Sequence, residues 1–303
     1  MEYILVPAFS RDSYQVTYYN YPMPYQILFF GSFGEYSVSV LNALLKAKSY
    51  QLSAVITTPP SPKGRHLHLT PNEVQDYSKK NNIPVYTPDN LHSFTLQLSR
   101  PDFLVVAGYG KLIPQTWLDL PKIMAVNMHP SLLPDYAGRC PAEWAILNGE
   151  TETGVTLIQM TEKFDSGPIL AQEKLPISPN DTRLTLYTKL FDLGAKMLID
   201  ILPQIAAGLI TPRPQILNSQ FSIRNSRYAR QITRQDGFIS WEDFGNSLKI
   251  ENLKLKIGRM HRAFCDWPGV WTINPEGKRL KLISLSPQVL VQPEGKSPIP
   301  WPL

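Results

Sequence analysis

Cysteine is almost absent from this chain of 303 residues, which contains only Cys140 and Cys265. The two cysteines lie far apart in the sequence and do not have the spacing of metal ligands. We therefore do not expect disulfide bonds to hold the fold, and a reducing compartment is the default. These observations predict a cytoplasmic protein.

Long apolar runs are missing as well. No run approaches the roughly 20 residues that a transmembrane helix requires, so we expect no association with a membrane. Residues 1–24 are rich in Tyr and Pro, and they lack the basic start and the apolar core of a secretory signal. We expect this N-terminal extension either to be disordered or to precede the true initiator, Met23.

Metal and dinucleotide motifs are also missing. His66 and His68 are separated by one residue, but no third ligand follows nearby, so we do not expect a metal site. The turn at residues 31–34 follows a predicted strand and precedes a predicted helix, yet it lacks the G-x-G-x-x-G pattern. These absences argue against metal-dependent and nicotinamide-dependent chemistry.

The most informative stretch of the sequence runs from Asn127 to Asp165. The apolar residues 123–126 predict a buried strand, and side chains two residues apart in a strand share a face. Asn127 and His129 therefore point the same way, and Pro130 ends the strand. A carboxamide and an imidazole are thus predicted at the carboxyl end of a strand, where open α/β sheets bind their ligands.

A second predicted strand, residues 154–160, returns the chain towards the same edge just before Asp165. Asn, His and Asp without Ser or Cys suit acyl transfer to an amine, because the amine is itself the nucleophile. Asn127 would stabilise the oxyanion, and His129, tuned by Asp165, would move the proton. Taken singly, each residue is equally well interpreted as a turn or loop-capping residue.

Four motifs in this stretch resemble, in the same order, those of the 10-formyltetrahydrofolate-dependent formyltransferases. They are Asn-x-His-Pro-Ser-Leu-Leu-Pro (127–134), Tyr-x-Gly-x-x-Pro (136–141), Glu-Thr-Gly-Val-Thr (152–156) and Phe-Asp-Ser-Gly (164–167). The resemblance implies 10-formyltetrahydrofolate as co-substrate, no metal, and catalysis by Asn127, His129 and Asp165. It also implies folate contacts by Ser131, Leu132, Leu133 and Pro134.

Two further features are interpreted through this resemblance. Gly108 and Tyr109 match the family's Ala-Tyr-Gly turn, whose backbone helps to bind the pterin, with Gly108 in place of the usual Ala. Ala137 precedes Gly138 where the family usually has Arg, and an Arg follows instead, at position 139. The resemblance therefore leaves the anchoring of this loop open.

Residues 59–71 are dense in Pro and Gly, which predicts an exposed loop. Its Lys63 and Arg65 can reach phosphates, although a surface loop with incidental charge is the simpler interpretation. The loop resembles the inserted Pro-x-Gly-Arg segment of methionyl-tRNA formyltransferases, which contacts the tRNA acceptor end. The resemblance therefore implies that Arg65 reads the acceptor stem, and we expect Lys63 to bind tRNA beside it.

Positive charge is concentrated in the last third of the chain. Residues 1–210 hold 16 Lys and Arg against 18 Asp and Glu, whereas residues 211–303 hold 14 against 7. This asymmetry favours an acidic polymer bound to the back part, with a solvated basic surface as the alternative. A helix predicted over residues 247–264 carries Arg259 and Arg262 on its outer side, and we expect both to contact tRNA.

The length of the chain suggests two domains. The resemblance implies an α/β fold, with a Rossmann-like, mostly parallel sheet in a formyltransferase domain at 25–210. A linker at 211–230 and a smaller C-terminal OB-like β-barrel domain at 231–303 follow. The predicted strands fall about two short of a closed barrel, so we expect this domain to be incomplete, with an exposed edge.

The implied activity is transfer of the formyl group of 10-formyltetrahydrofolate to the α-amine of methionyl-initiator tRNA for translation initiation, by a monomer. One alternative is formylation of an amino sugar nucleotide, against which the Pro-Lys-Gly-Arg loop and the basic back part argue. Another is a catalytically idle RNA-binding relative, against which the intact set of Asn127, His129 and Asp165 argues.

Overall fold

The computed structural model describes residues 23–63, 67–97, 99–215, 227–246 and 250–301. The expectations for residues 1–22, for Arg65 and His66, and for most of the predicted linker lie outside the described residues. The chain divides into two compact units. The first holds the described residues of 23–129, 156–172 and 191–215, and the second holds 130–155, 173–190 and those after 215.

Among the described residues, nine strands precede the C-terminal part of the chain. They are β1 (Tyr25–Phe30), β2 (Tyr50–Ile56), β3 (Ser61–Lys63), β4 (His68–Thr70), β5 (Val85–Tyr86), β6 (Phe103–Ala107), β7 (Met124–His129), β8 (Glu152–Gln159) and β9 (Ile169–Pro176). The helices of this part are α1 (Gly34–Lys46), α2 (Glu73–Lys80), α3 (Gln115–Leu118), α4 (Pro141–Asn148) and α5 (Arg183–Ala206).

Seven of these strands form one sheet in the order β5-β2-β1-β6-β7-β8-β9. The pairs β2–β5, β1–β2, β1–β6 and β6–β7 are parallel, whereas β7 and β8 are antiparallel. All five residues of β6 are buried, as expected for a strand covered on both faces. The predicted mostly parallel α/β fold is confirmed.

The helix α5 packs closely against one face of β7, and Asn127 and His129 lie on the other face. A Cβ atom added at Gly194 of α5 would lie 2.1 Å from the sulfur of Met128, so the helix approaches this strand closely. Because strand side chains alternate, Asn127 and His129 point to the opposite face. On that face lies a buried cluster that includes Ala125 of the same strand.

The helical spacing of apolar residues in the sequence predicts a long amphipathic helix at 182–207, with a core stripe of Leu186, Leu190, Leu193, Met197, Ile201 and Ile205. This helix is present as α5. Thr182 caps it, because its hydroxyl oxygen accepts a hydrogen bond of 3.3 Å from the backbone N–H of Thr185. The helix ends before Gly208, whose φ of +69° favours glycine. The side chains of Leu186, Leu190, Met197, Ile201 and Ile205 are buried along it, as the apolar stripe predicted.

Two structured segments were not predicted. The Pro-rich stretch expected to be a loop contains the antiparallel hairpin β3–β4, and β9 was not recognised. The hairpin was missed because its Pro and Gly residues are typical of a loop, although proline is compatible with an edge strand. Strand β9 was missed because it has no clear apolar pattern: only Leu170 and Ala171 are buried, and most of its other residues are exposed.

The C-terminal part contains the predicted smaller antiparallel sheet. Its four strands are β10 (Trp271–Ile273), β11 (Arg279–Ser284), β12 (Leu290–Pro293) and β13 (Ile299–Pro300), paired in sequence order. A 3₁₀ turn (Arg234–Gly237) and the helices α6 (Trp241–Asn246) and α7 (Glu251–Ala263) precede it. Strand β13 lies in the Pro-rich end, where no strand was predicted. Within the described ranges, no helix is long and apolar enough to cross a bilayer.

Candidate active site

Asn127 and His129 lie in the last three residues of β7, between β6 and β8. Asn127 is opposite Val106 of β6 and Ile158 of β8, and His129 is opposite Thr156. The imidazole is buried, whereas the carboxamide is half-buried. The carboxyl end of β7 therefore presents both groups on one face, as the spacing of two residues predicted.

Asp165 lies beside His129. Its Oδ1 atom is 3.3 Å from Nδ1 of the imidazole, and the two side chains are only 11% and 6% exposed. A carboxylate in this position selects the tautomer that carries the proton on Nδ1, so Nε2 is the nitrogen that accepts a proton. The structure thus brings together the imidazole and the carboxylate that the sequence placed 36 residues apart.

The loop before β9 holds Asp165 in an unusual backbone conformation. Its φ is +51°, in the left-handed region that Asp tolerates better than most residues. Two residues later, a Cβ atom at Gly167 would lie 1.7 Å from the carbonyl oxygen of Gln159, so only glycine fits there. The local sequence is thus adapted to a tight turn that presents the carboxylate.

Gln215 contacts this loop from a distant part of the chain. Its side-chain Nε2 donates hydrogen bonds to the carbonyl oxygens of Asp165, at 2.7 Å, and of Gly167, at 2.8 Å. Next to it, Ile169 and Arg213 exchange two backbone hydrogen bonds of 2.7 and 2.8 Å. The sequence analysis placed Gln215 in a linker and missed it, because no local pattern marks a contact 50 residues away.

The turn of Gly108 and Tyr109 follows β6 and is held by Ser32. The Ser32 hydroxyl donates to the carbonyl oxygen of Tyr109 at 2.7 Å, and the Ser32 backbone N–H donates to that of Gly108 at 3.0 Å. Gly108 has φ of +71°, and a Cβ atom there would meet Phe33 at 2.7 Å. Ser32, in the turn after β1, therefore holds the backbone of Gly108 and Tyr109, which the resemblance implies to bind the pterin.

The Tyr109 side chain belongs to the core rather than to the surface of the site. Its ring packs edge-on against Phe30, with centroids 5.2 Å apart, and the residue is 2% exposed. Burial raises the pKa of the Tyr109 hydroxyl to about 12. Among the described residues, that hydroxyl has no hydrogen-bond partner. Tyr109 thus contributes to the turn through its backbone and through packing.

The predicted folate segment, Ser131 to Pro134, forms a compact turn in the second unit. The Ser131 hydroxyl is buried and donates to the carbonyl oxygen of Asp135 at 2.7 Å, and Leu133 is 3% exposed. Leu132 and Pro134 are half-buried. A Cβ atom at Gly154 would come within 2.4 Å of Leu132, so the glycine of the Glu-Thr-Gly-Val-Thr motif makes room for this segment.

The loop in which Ala137 replaces the usual Arg is anchored through its backbone. Ala229 donates its N–H to the carbonyl oxygen of Ala137 at 2.8 Å and accepts the N–H of Arg139 at 2.7 Å. Gly138 allows this contact, because a Cβ atom there would lie 2.5 Å from the Ala229 carbonyl oxygen. Backbone pairing with residues 227–229 thus holds the loop without an arginine at position 137.

The four residues assigned to tRNA binding have different environments. The Lys63 backbone pairs with His68 in the β3–β4 hairpin, and Arg65 lies outside the described residues. The Arg259 guanidinium packs over Gly149, at the C-terminal end of α4, and Arg262 donates to the carbonyl oxygen of Asp181 at 2.9 Å. Burial is the main reason that the pKa of the Arg262 guanidinium is lowered. Both arginines therefore make contacts within the second unit.

Among the residues that the structure describes, no group of three or more His, Cys, Asp or Glu side chains is arranged to hold a metal ion. A neutral carboxamide can stabilise a developing oxyanion, and an imidazole paired with a carboxylate can accept a proton.

A solved structure supports the same architecture. The 4-N formyltransferase from Francisella tularensis superposes with a TM-score of 0.63 at 16% sequence identity, over 86% of this chain and 97% of the other. At this identity the similarity concerns the fold.

Sequence comparison identifies the family. The family model described as Formyl transferase matches residues 25–202. The methionyl-tRNA formyltransferase of Listeria monocytogenes serotype 4a (strain HCC23) is 38% identical over 82% of this chain and 75% of its own length. The enzyme of the same name from Roseiflexus sp. (strain RS-1) is 37% identical over 86% of this chain and 77% of its own length. The chain therefore belongs to the formyl transferase family.

Proposed function

We propose that this enzyme transfers the formyl group of 10-formyltetrahydrofolate to the α-amine of methionyl-initiator tRNA. The relatives that are 37–38% identical and carry the name methionyl-tRNA formyltransferase support the choice of acceptor. The family supports formyl transfer as the reaction class. Because the product is a formylated initiator, the activity belongs to translation initiation.

The side chains at the end of β7 fit this chemistry. Bound 10-formyltetrahydrofolate supplies the formyl group, and the acceptor amine supplies the nucleophile, so no Ser or Cys nucleophile is required. The bond between the formyl carbon and the amine forms, and the bond between that carbon and N10 of the folate breaks. Asn127 donates its amide N–H to the formyl oxygen, where negative charge develops.

His129 and Asp165 handle the proton. His129 takes the proton from the attacking nitrogen through Nε2 and returns it to N10, so the overall charge is conserved. Asp165 stabilises the imidazolium that forms meanwhile, because its carboxylate is 3.3 Å from Nδ1. This imidazole–carboxylate pair is the observation that carries the proposed mechanism, and a catalytically idle RNA-binding relative would not require it.

Two basic regions are proposed to hold the tRNA. Lys63 lies in β3, and Arg65 follows it two residues later in the sequence, so we propose that these two side chains contact a phosphate and position the acceptor end. Arg259 and Arg262 lie on α7, which also exposes Lys254 and Lys256. These side chains account for part of the excess of positive charge after residue 210, and an amino sugar nucleotide would not require a basic surface of this extent.

One assay tests the proposal directly. Purified enzyme is given 10-formyltetrahydrofolate together with methionyl-initiator tRNA or, in parallel, with amino sugar nucleotides. We expect formyl-methionyl-tRNA as the product, with no comparable transfer to the sugars. Preferential transfer to an amino sugar would replace the proposed acceptor, and transfer to neither acceptor would contradict the function.

Arg65 provides a test of the acceptor site. Arg65→Ala is expected to raise the KM for methionyl-tRNA about tenfold, the effect of roughly one lost charged contact, while the KM for 10-formyltetrahydrofolate stays unchanged. Lys80→Ala, which removes an exposed positive charge from α2, serves as the matched control. If both KM values of Arg65→Ala change together, or neither does, the role of this segment is wrong.

A further inference from the structure

We propose that Gln215 is a positioning residue for the catalytic carboxylate of Asp165. This inference rests on the proposed function, since it concerns the proton-transfer step of the same site. It assigns a role in catalysis to a residue that the sequence placed in a linker.

The contact is specific in its chemistry. A glutamine amide carries two N–H donors on one nitrogen, and Nε2 of Gln215 lies 2.7 Å from the Asp165 carbonyl oxygen and 2.8 Å from that of Gly167. One side chain therefore bridges the two carbonyl groups on either side of Ser166. A residue without two donors in this place cannot satisfy both carbonyl groups.

The bridged segment needs such support. Asp165 has a φ of +51°, and left-handed backbone of this kind persists where surrounding contacts determine it. The neighbouring Phe164 is 60% exposed. The hydroxyl of Ser166 bonds within the loop, to the carbonyl oxygen of Lys163 at 3.1 Å. Gln215 instead connects the loop to a separate segment, which the Ile169–Arg213 backbone pair holds in place.

Movement of this backbone would act directly on the imidazole–carboxylate pair. The Asp165 carboxylate is 3.3 Å from Nδ1 of His129, at the outer limit of hydrogen-bond distance. A small displacement of the turn therefore separates the two groups. Since both lie in the first unit, as does Gln215, the proposed effect needs no movement of one unit against the other.

The test removes the two N–H donors of Gln215 with side chains of similar size. Gln215→Glu removes both donors and brings a carboxylate towards two carbonyl oxygens, whereas Gln215→Met removes the donors without adding charge. We expect kcat for formyl transfer to fall about 10- to 100-fold in both variants, as for small displacements of catalytic groups, with the KM for 10-formyltetrahydrofolate unchanged. Gln204→Glu is the matched control, because Gln204 donates to the carbonyl oxygen of Asp200 within α5.

A double-mutant cycle separates positioning from a general structural role. In an Asp165→Asn background the catalytic carboxylate is already gone, so Gln215→Glu should cause little further loss of kcat. Losses that multiply in the double variant would overturn the inference, as would an undiminished kcat in Gln215→Glu.

Hydrogen exchange keeps this test distinct from that of the proposed function. In Gln215→Glu, the amides of residues 165–167 and of Ile169 should exchange faster than in Gln204→Glu, while those of β6 stay protected. Unchanged exchange of the loop would refute the positioning role whether or not the protein transfers formyl groups. Absence of transfer in the unaltered protein, with faster loop exchange in the variant, would instead refute the proposed function alone.

Discussion

At the scale of single residues, the site depends on a few positions where the backbone leaves room for no alternative. Gly167 lies too close to Gln159 for any side chain, and Gly154 lies too close to both Glu173 and Leu132. Each of these glycines allows two segments to approach at backbone distance, so a larger residue would force the segments apart.

Gly154→Ala tests this idea. The added Cβ atom would lie 2.1 Å from the carbonyl oxygen of Glu173 and 2.4 Å from Leu132, so the segment of Leu132 must shift. We expect a loss of unfolding free energy of about 1–3 kcal/mol and a higher KM for 10-formyltetrahydrofolate. Urea denaturation and steady-state kinetics measure the two effects.

Gly258→Ala in α7 is the control for this substitution. No atom lies within 4 Å of its added Cβ atom, so the helix should gain about 0.5–1 kcal/mol of stability. Equal stability and KM in Gly154→Ala and the unaltered protein would show that Leu132 does not depend on this glycine.

The sequence predicted the placement of the candidate catalytic residues better than the contacts that support them. The alternation of side chains in a strand was sufficient to place Asn127 and His129 on one face of β7. The bond from Gln215 to the Asp165 loop could not be predicted, because it joins residues distant in sequence and is made by one flexible side chain. Ser32, which holds the Gly108–Tyr109 turn, was missed for the same reason.

At the scale of elements, strongly apolar or strongly periodic segments were predictable and mixed segments were not. The apolar residues 123–126 predicted the strand β7 (Met124–His129), and the strand predicted at 154–160 is present as β8 (Glu152–Gln159). Strand β9 depends on its partner β8, whereas β3 and β4 pair only with each other in a separate two-stranded sheet. The residues of both segments carry no clear period, so strand pairing rather than a local sequence pattern decides these elements.

The 3₁₀ turn Arg234–Gly237 depends on one carboxylate. Asp236 accepts hydrogen bonds from Arg230 at 2.9 Å and from the backbone N–H of Thr233 at 2.7 Å. These contacts, with Arg230 as the main cause, lower the pKa of Asp236 from 3.8 to about 2. Because the folded-state pKa is depressed, the contribution to stability is present above pH 3.8 and is lost as the pH falls to about 2.

Asp236→Asn should therefore reduce the free energy of unfolding at pH 5 and have less effect near pH 2. Urea denaturation across this range measures the difference, and Asp89→Asn, at an exposed carboxylate, is the control. A loss of stability that is independent of pH would show that the charge of Asp236 does not support the turn.

At the scale of the whole molecule, charge and chain organisation carry the remaining information. The excess of positive charge after residue 210 was visible in the sequence. The composition of the two units was not visible, because residues 130–155 and 173–190 group with the C-terminal part of the chain. Long-range contacts such as the pairing of Gly138 with Ala229 create this interleaving, and no local pattern marks them.

The charge asymmetry predicts a dependence on salt. Binding of tRNA to basic side chains releases counterions, so the KM for methionyl-tRNA should rise steeply as the salt concentration increases. The KM for 10-formyltetrahydrofolate, a small ligand, should rise much less. Steady-state kinetics at several potassium chloride concentrations test this, and equal slopes for the two substrates would argue against an electrostatic tRNA surface.

The most direct measurement is the single-turnover rate of formyl transfer from 10-formyltetrahydrofolate to methionyl-tRNA, compared between the unaltered enzyme and Asn127→Ala. If the Asn127 amide stabilises the developing oxyanion, the rate should fall about 10²- to 10³-fold while binding of both substrates persists. A rate equal to that of the unaltered enzyme would contradict the assignment of the active site to the end of β7.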